Sequence, residues 1–152
     1  MNFAPKDDPK IPCQVRLWEG RSVLVFVHPR EWKQVAITGG TPMVVSCHTL
    51  EFPCMISSWG EFYRSGQPDS VKPSDFGVPV HGDYPATARI DWHEAIPDVL
   101  RIGLESSADS SIVWNSLGSQ EMRKYLSFIL RARKQSIVLE RQLEVLRQIG
   151  SL

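Results

Sequence analysis

The most regular hydrophobic pattern lies at the end of the chain. From Ser119 to Ile149 no proline or glycine interrupts, and Met122, Tyr125, Ile129, Ala132, Ser136, Leu139, Leu143 and Leu146 recur in alternating steps of three and four. This spacing predicts one long helix with a heptad seam. Ser119, after Gly118, reads as its N-cap, Glu121 adds a negative charge to the first turn, and Gly150 closes it. Leu130, Ile137, Val138 and Val145 fall off the seam, so the helix has a second apolar side that calls for another chain.

Upstream the period changes to two. Cys13, Val15 and Leu17 alternate with Gln14, Arg16 and Trp18, Glu19 and Gly20 make a turn, and Ser22 to His28 is a valine-rich apolar run, together an antiparallel hairpin. Lys33 to Thr38 and Met43 to His48, separated by Gly39, Gly40, Thr41 and Pro42, read as a second hairpin, completing a four-stranded meander. Between Thr49 and Arg64, Pro53 and Gly60 limit the apolar residues to a short strand or helical turn. Ser65 to Pro85, with four prolines and three glycines, reads as an irregular packed loop. Ala86 to Asp91 reads as a strand and Trp92 to Ile96 as a helical turn ended by Pro97. Val99 to Glu105 and Ser111 to Trp114 read as further strands.

The fold expected is therefore α+β: a mostly antiparallel sheet packed against one long C-terminal helix, residues 119–149. Residues 1–11, polar and rich in proline, read as a flexible N-terminal arm, and residues 12–152 as a single domain. A chain of 152 residues with 42% hydrophobic content supports one core of ordinary size.

Charge changes the picture little. Seventeen basic and seventeen acidic residues cancel, so no net field draws the molecule to nucleic acid or an anionic membrane. The distribution is uneven, with seven Lys or Arg against three Glu from Ser119 onward. There is no apolar run of signal-peptide or membrane-spanning character, and three cysteines without an export signal suit reduced thiols in a cytoplasm.

Candidate chemistry is sparse. Cys47, His48 and Cys54, with His81 or His93, are potential metal ligands, but their spacing departs from the paired-ligand knuckles of zinc modules. Cys47 or Cys54 with His93 and Asp91 would be a nucleophile, base and orienting acid, yet neither cysteine has the local cationic setting that depresses a thiol pKa. Asp91, His93, Glu94 and Asp98 suit a solvated turn as well as acid–base work. Gly39 and Gly40 lack the lysine and helix start of a phosphate loop. No cofactor or metal is expected.

The stretch Val80, His81, Gly82, Asp83, Tyr84, Pro85, Ala86, Thr87, Ala88, Arg89, Ile90, Asp91, Trp92, His93, together with Trp114 to Gly118 and the overall plan, resembles small plasmid-encoded fertility-inhibition factors. The resemblance implies a cytosolic, non-enzymatic inhibitor that binds a conjugation component such as the coupling ATPase. It assigns no functional residues.

The function expected is thus a protein-binding inhibitor or adaptor from a mobile genetic element. The aromatic cluster Trp59, Phe62 and Tyr63 is one candidate contact, because Trp, Tyr and Arg dominate interface hot spots. The distal helix, with Val138, Arg141, Val145 and Arg147, is the other, and would also serve a homodimer. The alternative is a dimeric nucleic-acid-binding regulator using Arg123, Lys124, Arg131, Arg133, Lys134, Arg141 and Arg147 of the basic helix.

Overall fold

The computed structural model describes residues 3–59 and 63–151; for Ser58, Trp59 and Tyr63 it describes the backbone alone. The protein is mixed helix and strand, and its described residues divide into two compact units, residues 9–91 and residues 3–8 with 92–151.

The first unit is a closed antiparallel barrel of six strands: β1 (Ile11–Trp18), β2 (Leu24–Val27), β3 (Gly40–Cys47), β4 (Leu50–Trp59), β5 (Tyr63–Gly66) and β6 (His81–Ile90). Around the barrel the order is β1-β2-β5-β4-β3-β6, so every strand has two neighbours and no edge is left open. Alternate residues fill the interior: Ile11, Cys13, Val15 and Leu17 from β1, Met43, Val45 and Cys47 from β3, Phe52, Cys54 and Ile56 from β4, and Ala86, Ala88 and Ile90 from β6. The β1–β2 hairpin forms as the alternation predicts, with Gly20 at φ +73 in its turn.

The second predicted hairpin does not form. Lys33 lies in helix α1 (Pro29–Val35), started by Pro29 and by His28, whose Nδ1 accepts from the Arg30 amide at 3.1 Å; Trp32 and Val35 bury its inner face. β3 pairs instead with β4, in register from Gly40 with Ser57 to Cys47 with Leu50. Pro53 sits inside the ten-residue β4 with its ring turned outward, so it costs the ladder one donor without ending the strand. The end of β5, a 3₁₀ turn, Pro73–Phe76, and the first half of β6, which starts at His81 and not at Ala86, occupy part of the stretch expected as a loop, and Phe76 buries its ring edge-on to Phe52, 5.7 Å between centroids.

The second unit is helical: α2 (Trp92–Ala95), α3 (Asp98–Glu105), α4 (Ala108–Ser116), α5 (Ser119–Leu130) and α6 (Gln135–Gly150). Val99 to Glu105 and Ser111 to Trp114 are helical, not strands. Leu100 and Leu104 are fully buried four residues apart, while Ile102, which strand alternation would bury with them, is 59% exposed. Ser107 caps α4 by accepting from the Ser110 amide, and Trp114 is completely buried.

The long C-terminal helix is two helices. α5 stops at Leu130, and Lys134 has the extended backbone of an N-cap, although no glycine or proline marks the place. Tertiary contacts supply the reason. Arg141 of α6 stacks 4.7 Å over the Phe128 ring and donates from Nη1 to the Phe128 carbonyl at 2.7 Å, answering one of the open carbonyls at the end of α5. Buried Gln142 accepts the Leu100 amide at 3.0 Å, one of the unpaired donors of the first turn of α3. Gly103 of α3 lies so close to Leu146 that an added Cβ would stand 2.5 Å from its Cδ1.

Residues 3–8 are not a free arm. Phe3 is 2% exposed, Asp8 accepts from the Trp92 indole at 2.9 Å, and Asp7 accepts from the Ser119 amide at 2.9 Å. Gly118 is the N-cap of α5 and has no side chain to offer, so Asp7 supplies the capping carboxylate from far upstream.

Candidate interaction surfaces

The residues predicted to meet a partner are scattered. Phe62 lies outside the described residues, and Trp59 and Tyr63, paired at the ends of β4 and β5, are described in backbone alone. On α6, Val145 is completely buried and belongs to the core of the helical unit, which corrects its assignment to an open face. Val138 is half-buried, Arg141 is engaged by Phe128, and Arg147 is exposed and paired with Glu144 within the helix.

The reason is a rotation of register. α5 buries Met122, Leu126 and Ile129, but after the break α6 buries Gln142, Val145 and Ile149. The two leucines that an unbroken seam would bury, Leu139 and Leu143, are 45% and 53% exposed. α3 adds Ile102, α4 adds Ile112, 67% exposed, and the end of α5 adds Leu130, so among the described residues the helical unit presents five large aliphatic side chains to solvent.

The barrel unit presents a different surface at the ends of β1 and β6, where Trp18 pairs with His81. Trp18 is 54% exposed, and the Arg21 guanidinium lies 5.2 Å over its ring. Arg16 forms a two-pronged ion pair with Asp83, 2.8 and 3.1 Å, and stacks on Phe26; His81 lies 3.6 Å from Glu19. Arg16 and its hydrogen bond hold the Asp83 carboxyl below the usual range. Arg16, Leu17, Trp18, His81, Gly82 and Asp83 line a shallow depression of about 330 Å³. Sequence reasoning missed Trp18, although the alternation of β1 groups it with Gln14 and Arg16 on the outer face.

The rim balances its charges: Arg16 and Arg21 stand with Asp83 and Glu19. On α5 and α6, Lys124 is paired with Glu121, Arg147 with Glu144 and Arg141 with Phe128. Arg131, Arg133 and Lys134, between the two helices and at the start of α6, are exposed.

All three thiols face the barrel interior. Burial pushes Cys13 and Cys54 up to about 12 and raises Cys47 as well, opposite to the depressed pKa of a nucleophilic thiol. Cys47 donates weakly to the Pro85 carbonyl. Among the described residues no group of three or more His, Cys, Asp or Glu is placed to hold a metal ion, and no helix is long and apolar enough to cross a membrane. Comparison with protein-family models, with curated proteins and with solved structures finds no match for this chain.

Proposed function

We propose that the protein acts by binding another protein through the rim of its barrel, as an inhibitor or adaptor. The observation that carries this reading is the exposed Trp18 under Arg21 beside the Arg16–Asp83 pair. An indole held by a neighbouring cation offers a large rigid contact with little ordering cost, and the adjoining charges of both signs give orientation. Charge balance favours a protein over a polyanion. The resemblance to fertility-inhibition factors adds a partner class, a conjugation component such as the coupling ATPase, and with it a plasmid setting and a cytoplasmic place of action.

The test is a photo-crosslinking residue at position 18, with the same residue at outward-facing Thr87 as control, in cells carrying a conjugative plasmid. A discrete protein adduct at 18, absent at 87 and weakened at least tenfold by Arg21→Ala, is expected. Identical adduct patterns at the two positions would sink the rim as a binding surface. Mating frequency reads the narrower claim: the chain lowers transfer and Trp18→Ala restores it, whereas unchanged transfer with the wild-type chain removes the conjugation partner.

A further inference from the structure

The aliphatic face of the helical unit is independent of the barrel rim, and we infer that it is occupied by a second copy of this chain, α6 lying antiparallel on α6. The reasoning starts from periodicity. Leu139, Leu143 and Leu146 are spaced four and three apart, the d, a and d positions of a short coiled-coil seam. Leu139 and Leu143 are about half exposed, and Leu146 leans on Gly103 of α3, so the seam is built but only one side of it is covered. α3, whose Gly103 meets Leu146, carries a further exposed aliphatic residue, Ile102.

Charge identifies the occupant. The positions that flank such a seam are e and g. Here the g residues, Gln142 and Ile149, are buried within their own unit, which leaves the e residues, Glu140 and Arg147, as the exposed rim. In a parallel pair, e faces g, and no charge would meet its opposite. In an antiparallel pair, e faces e, and a two-fold axis near Leu143 sets Glu140 of each copy against Arg147 of the other. Arg147 binds Glu144 through Nε and Nη2, leaving Nη1 for the incoming carboxylate. The same arrangement carries exposed Arg133 and Lys134, at the start of α6, to the other copy's α6 C-terminus, where the helix dipole favours cations. One surface thus carries both halves of its own complement, as a two-fold contact requires.

The full chain is examined by sedimentation equilibrium from about 1 to 300 μM, with circular dichroism confirming folded helices. The expected mass rises with concentration from 17.2 kDa toward twice that value. Leu143→Asp, at an exposed position, keeps the fold and weakens self-association at least a hundredfold. Glu140→Arg and Arg147→Glu each put like charges in contact and weaken it at least tenfold; the double reversal recovers it to within about threefold of wild type. A chain that stays monomeric throughout overturns the inference and leaves the face to a different protein. A dimer indifferent to Leu143→Asp, or one that the double reversal fails to rescue, overturns it as well. None of these results touches the crosslinking test of the barrel rim.

Discussion

The two units solve the burial problem in opposite ways. The barrel closes on itself, so each strand finds hydrogen-bond partners on both sides and its inward residues share one interior. Each helix satisfies its own backbone, so a helical unit can leave one face uncovered without leaving a polar group unpaired, and α3, α4 and α6 do so. The barrel's large exposed apolar side chains are Trp18 near the end of β1 and Met55 on the outside of β4, whereas the helical unit exposes Ile102, Ile112, Leu130, Leu139 and Leu143.

The sharpest way to break this contrast is at Gly66. A Cβ there would stand 2.1 Å from the Met55 carbonyl oxygen and 2.9 Å from the Cys54 sulfur, and backbone cannot yield as a side-chain tip can. Gly66→Ala should cost the barrel at least ~3 kcal/mol, in the range of severe overpacking. Hydrogen exchange is expected to speed in β4 and β5 and to leave α6 unchanged; equal acceleration in both units would mean that they unfold as one.

Alkali makes a second distinction, because every cysteine belongs to the barrel unit. Burial raises the Cys13 and Cys54 thiols from their ordinary 9.0 to about 12 in the folded chain. The unfolded chain loses those protons first, so their contribution is intact below pH 9 and disappears as pH climbs from 9 toward 12, at about 1.4 kcal/mol per pH unit for each thiol. Urea unfolding between pH 8.5 and 10.5 should show a barrel whose midpoint falls less steeply in Cys13→Ala and Cys54→Ala than in the wild type. Parallel slopes would contradict the buried-thiol account.

The smallest effect tests where residues 3–8 belong. Removing the Asp7 carboxylate leaves the first amide of α5 without its cap, and Asp7→Ala should cost the helical unit ~1 kcal/mol. Loss of protection confined to α5 amides is the expected signature; none at all would return residues 3–8 to the status of an arm.

What could be read in advance was whatever depended on near neighbours. The β1–β2 hairpin needs only alternation and a glycine turn, and the α2 turn only an apolar pair ahead of Pro97. Misreadings arose where one string satisfies two periods. Leu100, Ile102 and Leu104 alternate like a strand, but Leu100 and Leu104 also match a helix, and packing around buried Gln142 selects the helix. Pro53 looked like a terminator because local rules cannot see that its ring faces outward in a ladder of ten residues. The candidate surface suffered most. Heptad counting across Arg131 to Lys134 assumed an unbroken helix, and that assumption exchanged the buried Val145 for the exposed Leu143.

By itself the sequence determined the mixture of alternating and helical segments, the even charge, the absence of an apolar run long enough for a membrane span, and the helical character of both α5 and α6. Tertiary structure alone decided that six strands close into a barrel, that Asp7 caps a helix more than a hundred residues away, and which side of α6 stays open. Periodicity records which residues can share a face, whereas the choice of the face that is covered depends on partners brought together only by folding.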